Sequence, residues 1–340
     1  MEVRAPAVVK LLGEHAVVHK RVAVAVAVEL YAYASFESSK EGFEILLKDL
    51  GNRISLNKKA LSLISENYLK RTGITSYFKD NEAIGKDLLP YVTIAATVCS
   101  KYNKVPSGVV SINSSIPKQS GLASSASCYV AFTVLLLKVL GVKVSDVEAI
   151  DIARDGERVS HLSEGAGRID VSTSYYGGYV SFNKDGSFSK HEFSAKPKLL
   201  IINTGPKKPT SETVGRVAEL LAEREKETNS ILDEINECSI KGLEALSTND
   251  MEKLGRLMFR DHELLKKLDV SSKNLDKAVG IAKKHNAYGA KLSGGGGGGI
   301  AIALVKDFDE KLILELDNAG FKCNKVHISE KGAKEFLTKD

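Results

Sequence analysis

Alternating and short apolar runs predict the strands of this chain. Val22 to Tyr33 alternates valine and alanine, a pattern typical of a strand whose small side chains pack closely against a neighbour. Ser107 to Ile116 is a second predicted strand, and Lys198 to Asn203 is a short, apolar one that we expect to be buried. Further strands are predicted at residues 177–182, at residues 325–328, and on both sides of a glycine turn within 287–304.

Apolar positions at helical spacing predict the helices. Ser124 to Leu140 is an apolar run with this spacing that stops at Gly141, and Val147 to Leu162 is a second predicted helix. The pattern is mainly helical from residue 211 to about residue 285, with charged faces that indicate exposure to solvent. A later helix is predicted at Glu310 to Asn318.

The length and the change of pattern predict two lobes. The chain has 340 residues, more than one ordinary core accommodates. Its first half mixes strands with helices, whereas its second half contains a long helical stretch before the last strands. We therefore expect an N-terminal lobe at residues 1–185 and a C-terminal lobe at residues 186–340.

Composition narrows the function classes. Apolar residues make up 43% of the chain and charged residues 27%, an ordinary globular balance, and the net charge is only +5. No basic stripe is present and aromatic residues reach only 6%, which argues against a nucleic-acid partner. No apolar run approaches the roughly 20 residues that span a bilayer. The first ten residues, which include Glu2 and Arg4, do not resemble a signal peptide. We expect a cytoplasmic protein with no membrane partner.

The cysteines argue against two kinds of structural crosslink. They are scattered and form no CxxC pair, so neither a disulfide scaffold nor a structural zinc site is expected. The four positions are Cys99, Cys128, Cys238 and Cys323.

The segment PKQSGLASSAS, Pro117 to Ser127, is a candidate phosphate site. Gly121 and small residues lead from a strand into a long helix, so the backbone can approach a ligand closely. The first helical N–H groups favour an anion, and the serine hydroxyls add donors or a Mg²⁺ ligand. The alternative is a helix that is merely capped by serine. It is not a Walker A loop, because no GK[ST] follows.

Six consecutive glycines, Gly294 to Gly299, form a second candidate segment. Glycine loses the most backbone entropy on ordering, so such a run inside a folded domain needs a reason. A flexible linker is one interpretation. The flanking apolar runs, AKLS and IAIAL, favour the other, in which the backbone lies against a ligand or another loop.

Two further segments carry charged residues. In KLLGEHAVVH, Lys10 ends an apolar stretch and Glu14 follows a glycine turn; taken alone, such residues are usually surface positions. In GERVSHLSEGAGRIDVSTSYYGG, Glu157 falls late on a predicted helix and Asp170 in a glycine-flanked turn. Two carboxylates near a lysine could divide into a metal ligand and a general base, and the alternative is an ordinary helix end followed by a turn aspartate.

Together and in this order, the four segments resemble the GHMP kinase family. The resemblance implies an α+β, two-lobed fold: a GHMP-kinase-like N-terminal α/β lobe, a ferredoxin-like α+β C-terminal lobe, and an active site in the cleft between them. Three motifs are similar to those of mevalonate kinases: KLLGEHAVVH, HELLKKLDVS at His262 to Ser271, and AKLSGGGGGG at Ala290 to Gly299. The implied reaction is the ATP-dependent phosphorylation of mevalonate to its 5-phosphate, with Mg²⁺ as cofactor.

The resemblance also implies a role for each matching residue. Asp170 would be the base, Lys10 would stabilise the alkoxide and the phosphoryl group, and Ser125 with Glu157 would hold Mg²⁺. The mevalonate pocket would contain Glu14, His15 and Thr210. The turn that cradles the ATP phosphates would comprise Lys118, Ser120, Gly121, Leu122, Ala123, Ser124, Ser125 and Ala126. The glycine-rich loop would comprise Ser293, Gly294, Gly295, Gly296 and Gly297.

Departures from the family pattern leave alternatives open. Ala123 replaces the usual glycine, as in diphosphomevalonate decarboxylases, and a longer stretch before Asp170 makes Glu164 a rival of Glu157 as metal ligand. GAGRID also replaces the usual proline-serine form. A phosphomevalonate kinase or a decarboxylase of phosphorylated mevalonate is therefore an alternative, as is a catalytically silent metabolite sensor. The resemblance leaves open whether the chain forms a homodimer.

The phosphorylated acceptors would need extra cations for a second phosphate group. The candidates in this sequence are Lys207, Lys208 and Arg168.

Overall fold

The computed structural model describes residues 1–40, 42–117, 121–163 and 167–337. The strands of the first sheet are β1 (Glu2–Leu12), β2 (Ala23–Ser38), β3 (Phe43–Leu47), β4 (Asn52–Leu56), β5 (Gly108–Ser114), β6 (Tyr179–Phe182) and β7 (Phe188–His191). The helices of this part of the chain are α1 (Lys58–Lys70), α2 (Ile74–Asp80), α3 (Leu89–Tyr102), α4 (Ser124–Val139), α5 (Asp146–His161) and α6 (Arg168–Tyr176). Short 3₁₀ turns lie at Ala16–His19 and Glu82–Ile84.

The rest of the chain builds a second sheet with its own helices. Its strands are β8 (Lys198–Asn203), β9 (Gly289–Ser293), β10 (Ile300–Val305) and β11 (Lys322–Val326). Its helices are α7 (Thr210–Glu223), α8 (Glu225–Ser247), α9 (Met251–Lys267), α10 (Lys273–Lys284), α11 (Glu310–Asn318) and α12 (Lys334–Leu337).

Strand β2 is the centre of the first sheet. It pairs with β1 along one edge, and along the other edge its first half pairs with β6 and its second half with β5. The alanines and valines of residues 23–28 are fully buried, because small side chains allow close packing on both faces of the sheet. Helix α4 packs against β1 and β2 and is buried from Ala126 to Leu137. The close packing predicted from the alternation is confirmed.

The second sheet confirms the ferredoxin-like lobe. Its order is β11-β8-β10-β9, and every neighbouring pair is antiparallel. Numbered along the chain, this is the order fourth, first, third, second. Helices α7–α10 connect its first two strands and α11 connects its last two, which is the βαββαβ arrangement.

The first sheet extends past the predicted boundary at residue 185. Strand β7 lies beyond that residue but pairs with β6, so the first sheet extends to His191. The end of the chain also returns to the first sheet, since Ser329 N donates to Ala27 O (2.9 Å) and Ala333 N donates to Ser174 O (3.2 Å). We propose that the lobes change within residues 192–197, and that the C-terminal segment belongs with the N-terminal lobe.

Two local predictions need correction. Asp170, expected in a turn, lies in the first turn of α6, because Gly167 ends the preceding loop and no helix breaker follows before Gly177. The last strand is Lys322–Val326 rather than residues 325–328. The predicted bounds of β8 and α11 are confirmed.

The four cysteines are free thiols. Among the helices of the described ranges, none has the length and apolar character that crossing a membrane requires.

Candidate active site

Lys10 and Asp170 form an ion pair at the edge of the first sheet. Lys10 lies near the end of β1, and its Nζ is 2.7 Å from Oδ1 of Asp170 in the first turn of α6. Burial by itself lowers the pKa of Lys10, but the attraction of Asp170 and their hydrogen bond outweigh it, so the pKa is raised. Lys10 is therefore an ammonium at neutral pH, placed beside a carboxylate.

The turn before α4 is anchored to β1 next to this pair. Val8 N donates to the carbonyl oxygen of Leu122 (3.1 Å), and Ser127 Oγ donates to that of Pro6 (2.8 Å). Residue Ala123 precedes the helix, and its side chain has no atom that could cap the first N–H groups. This favours the phosphate-site interpretation over a helix capped by its N-cap side chain, because no such cap competes with an anion for the first amides of α4. The predicted turn residues Lys118 and Ser120 lie outside the described residues.

Ala123 adopts a left-handed backbone conformation with φ 53°. This conformation costs an L-residue about 1 kcal/mol compared with glycine. Its methyl group packs against the buried cluster that includes Val8, Ala25 and Ile169. The departure from the usual glycine is therefore accommodated by the fold.

The glycine-rich loop between β9 and β10 lies directly against two other loops. A Cβ atom on Gly296 would lie 2.0 Å from the carbonyl oxygen of Val270, and one on Gly298 would lie 2.1 Å from that of Pro206. Gly297 N also donates to Val270 O (2.9 Å). The close-approach interpretation of the six glycines is confirmed, and the linker interpretation is wrong.

This loop also meets the turn before α4 and the strand that carries Lys10. A Cβ on Gly121 would lie 3.4 Å from the carbonyl oxygen of Ser293, and one on Gly294 would lie 3.6 Å from that of Gly121. Ser293 Oγ accepts from Lys10 N (3.1 Å) and donates to Lys10 O (3.2 Å). Three motifs that are far apart in the sequence therefore converge around Lys10.

Glu157 has a carboxylate oxygen suited to a cation. It lies on α5, is 3% exposed, and its Oε2 is 3.3 Å from His161 Nε2, whereas its Oε1 is buried with no hydrogen-bond partner among the described residues. The hydrogen bond that His161 donates to Glu157 is the main cause that raises the pKa of His161. No group of three or more His, Cys, Asp or Glu that could hold a metal exists in the described ranges. Mg²⁺ needs no such group, since one carboxylate, a hydroxyl and substrate phosphates suffice.

Ser125, the predicted second metal ligand, lies in the first turn of α4 and is partly exposed. Glu164, the rival of Glu157, lies outside the described residues.

His15 and Thr210 flank the glycine-rich loop. His15 Nε2 donates to the carbonyl oxygen of Gly295 (2.9 Å), and a Cβ on Gly295 would lie 3.0 Å from Thr210 Oγ1. Burial lowers the pKa of His15 to about 4, so the ring is neutral at physiological pH and its Nδ1 is an acceptor. Its backbone has a positive φ of 58° with ψ −43°, a sparsely populated conformation that marks a constrained position.

Glu14 is placed differently from the expected pocket wall. It is only 1% exposed and forms an ion pair with Lys291, which is fully buried. Sequence reasoning missed Lys291 and its second partner, Asp261. A lysine inside the apolar run AKLS was the available signal, because a charged side chain in a buried strand requires a partner.

Gly298→Ala is expected to destabilise the protein by about 2–4 kcal/mol. The residue has φ 123°, and the added methyl group would overlap the Pro206 carbonyl oxygen. Chemical unfolding followed by circular dichroism measures the change. Gly215→Ala on α7, where an added Cβ meets nothing within 4 Å, is the matched control and should leave stability unchanged or raise it. Equal stability of the two variants would contradict the packing described for the loop.

His15→Asn is expected to remove part of the acid sensitivity of folding. The folded pKa of about 4 is below the ordinary value of 6.5, so the unfolded chain binds the proton first. The wild type therefore loses stability as pH falls from about 6.5 to about 4, by about 3 kcal/mol from this group. Asparagine does not titrate and is among the residues that adopt a positive φ most readily. The free energy of unfolding is measured against pH for wild type and variant. If it changed equally in both over this range, the neutral, buried state of the His15 ring would be refuted.

Comparison with known proteins agrees with this geometry. Residues 90–178 match the family model described as GHMP kinases N terminal domain, and residues 242–321 match GHMP kinases C terminal. A mevalonate kinase of Pyrococcus furiosus is 32% identical over 345 residues, covering 97% of this chain and 96% of that protein. One of Methanocaldococcus jannaschii is 33% identical over 323 residues, covering 93% of this chain and 95% of that protein.

A solved structure extends the likeness to three dimensions. The crystal structure of the Methanococcus jannaschii mevalonate kinase superimposes with a TM-score of 0.80 at 28% identity. The match covers 96% of this chain and 98% of that chain.

Proposed function

Since this chain belongs to the GHMP kinase family and within it to the mevalonate kinases, we propose that it transfers the γ-phosphoryl group of ATP to the 5-hydroxyl of mevalonate, a step of isoprenoid precursor synthesis. Asp170 is the general base and Lys10 the stabilising cation. The observation that carries this proposal is the 2.7 Å pair of Lys10 and Asp170 at the point where the turn before α4 and the glycine-rich loop meet.

The reaction needs one proton transfer and one displacement. The Asp170 carboxylate accepts the proton of the primary hydroxyl, the oxygen attacks the γ-phosphorus, and the bond to the ADP oxygen breaks. The Lys10 ammonium balances negative charge on the attacking and transferring oxygens. Because phosphoryl transfer passes through a loose transition state, such positioning and charge compensation account for most of the catalysis.

The first turn of α4 is suited to the phosphates of ATP. Its first N–H groups donate no hydrogen bond to the N-cap side chain, and together with the positive end of its dipole they favour an anion there. Glu157 Oε1, buried and without a partner in the described ranges, and the hydroxyl of Ser125 would hold Mg²⁺. Bound Mg²⁺ neutralises phosphate charge and orients the phosphate chain.

The acceptor pocket is proposed to lie between His15, Gly295 and Thr210. The neutral ring of His15 is held by Gly295 O, so its Nδ1 can accept a hydrogen bond from an acceptor hydroxyl. Thr210 adds a hydroxyl close to Gly295.

A phosphorylated mevalonate remains the second candidate acceptor, supported by one cation. Lys208 is paired with Glu212 (2.6 Å), and Arg168 donates to the carbonyl oxygen of Gly186 (3.0 Å). Lys207 differs: burial lowers its pKa, and the charge of Lys10 lowers it further, so its amine lies near the catalytic pair. In the described part of the chain, Lys207 is thus the candidate cation placed near the catalytic pair, whereas Lys208 and Arg168 each already have an acceptor, which favours the unphosphorylated acceptor.

ADP release from purified protein with Mg²⁺-ATP tests the proposal, with mevalonate, its 5-phosphate and its 5-diphosphate offered in parallel. Turnover with mevalonate alone is expected. Turnover only with a phosphorylated form would keep the family and overturn the acceptor. Silence with all three would favour the metabolite-sensor alternative. Sedimentation of the same sample tests whether the protein forms a homodimer. The homodimer and the cytoplasmic location both stay predictions.

A further inference from the structure

Three ionisable side chains meet in the interior behind the candidate site. Glu14 follows β1, Asp261 lies on α9, and Lys291 lies on β9, and each is at most 1% exposed. We call them the Glu14–Lys291–Asp261 cluster. Neither the proton transfer nor the displacement described above uses this cluster.

The ammonium of Lys291 connects three segments. It donates to Glu14 Oε1 and to the carbonyl oxygen of Leu292 (2.7 Å), and it lies 3.4 Å from Asp261 Oδ2. The same carboxylate accepts from Gly13 N (3.4 Å). The turn after β1, helix α9 and strand β9 are therefore joined at one buried point.

Burying the charges of this cluster costs free energy, so the removal of one of them should disturb the segments that the cluster joins. Two carboxylates share one ammonium, and neither Glu14 Oε2 nor Asp261 Oδ1 has a hydrogen-bond partner in the described part of the chain. Burial raises the pKa of Asp261; Lys291 lowers it and Glu14 raises it. Loss of Lys291 would leave two buried carboxylates facing each other, so the segments would have to separate or take up a proton.

Two parts of the proposed acceptor pocket, His15 and the loop with Gly295, follow members of this cluster in the sequence. His15 directly follows Glu14, and the loop that contains Gly295 directly follows the strand of Lys291. Ser293, on the same face of β9 as Lys291, holds the backbone of Lys10. The charge of Lys291 also contributes to the lowered pKa of His15, so the two groups are close.

We propose that Lys291 is a positioning residue: through Glu14 and Asp261 it sets the glycine-rich loop and His15 against the Lys10–Asp170 pair, and so aligns the acceptor hydroxyl with the base. The proposal rests on the acceptor pocket of the proposed function. The positive φ of His15, 58°, is consistent with it, because a strained conformation persists only where its surroundings hold it. The ATP phosphates would bind at the first turn of α4, one loop further from the cluster, so their binding should change less than that of the acceptor.

Steady-state kinetics of Lys291→Met test this role. We expect the KM for the acceptor to rise about 10-fold or more and kcat to fall by a similar factor, since displacements near 1 Å have such effects. The KM for ATP should change less than about 2-fold. Lys284→Met is the matched control, because that lysine pairs with Glu315 (2.9 Å) on the surface of the same lobe, and it should change neither constant.

Two further measurements keep the test decisive. If Lys291→Met does not fold, Glu14→Gln with Lys291→Met removes the cation and one carboxylate together and should show the same acceptor defect. The ring N–H signal of His15 in NMR, slowed in exchange by its bond to Gly295, should be lost in the lysine variant and kept in Lys284→Met. This second readout needs no turnover, so it stands even if mevalonate is not the acceptor.

Three results would overturn the positioning role. One is a lower unfolding midpoint with both KM values unchanged, which would make the cluster purely structural. Another is an equal rise in both KM values, which would indicate general disorder of the cleft. The third is an unchanged His15 signal. Failure of the wild type to phosphorylate mevalonate would instead overturn the proposed function, and the KM comparison would then use whichever acceptor is turned over.

Discussion

Asp170→Asn is expected to lower kcat with mevalonate by about 10³-fold while the protein stays folded, because a positioned base contributes about 10²–10⁴-fold. The amide keeps the shape of the side chain but cannot accept the hydroxyl proton. The substitution also removes the charge that holds the pKa of Lys10 up against burial. The residual activity should therefore decline with rising pH earlier than in the wild type, as Lys10 loses its proton.

The measurement is kcat as a function of pH for wild type and variant, with circular dichroism as the test of folding. Asp233→Asn on α8 is the matched control, since Asp233 also pairs with a cation, Arg21 (3.1 Å), but on the surface. It should leave kcat unchanged. An Asp170→Asn enzyme within about 3-fold of the wild type would remove Asp170 from the role of base.

Glu157→Gln is expected to lower kcat by about 10²-fold and to raise the Mg²⁺ concentration needed for half-maximal activity. Glu157 Oε1 is buried without a partner among the described residues, and an amide at that point is a poorer ligand for a hard cation. The pKa of His161 should also fall, because the hydrogen bond that His161 donates to the Glu157 carboxylate is the main cause of its rise. That shift can be followed by NMR without turnover.

Glu164→Gln, assayed beside it, decides between the two candidate ligands. We expect that variant to keep the Mg²⁺ requirement of the wild type. A larger Mg²⁺ effect at Glu164 than at Glu157 would transfer the metal site to the rival residue. Normal Mg²⁺ dependence in both variants would refute a carboxylate ligand from this segment.

The elements with strong local signals were predictable from the sequence. The helix at Ser124–Val139 has apolar residues at helical spacing and stops before Gly141. The strand at Lys198–Asn203 is a short apolar run that ends at a polar residue. The glycine run favoured close backbone approach over a flexible linker, because linkers seldom lie between apolar strands. The turn expected around Asp170 was wrong. The flanking glycines suggested a turn, but Gly167 only precedes helix α6, which begins at Arg168.

The sequence alone thus determined the kinds of elements, the ordered motifs and most candidate residues, since these depend on local spacing and residue type. Tertiary structure alone decided which motifs meet. Lys10 and Ser293 are 283 positions apart but hydrogen-bonded, and β7 joins the first sheet beyond the expected boundary. It also turned Glu14 towards Lys291 rather than into an open pocket. The physical reason is that pairing across lobes and burial of charge depend on contacts between distant residues, which no local pattern specifies.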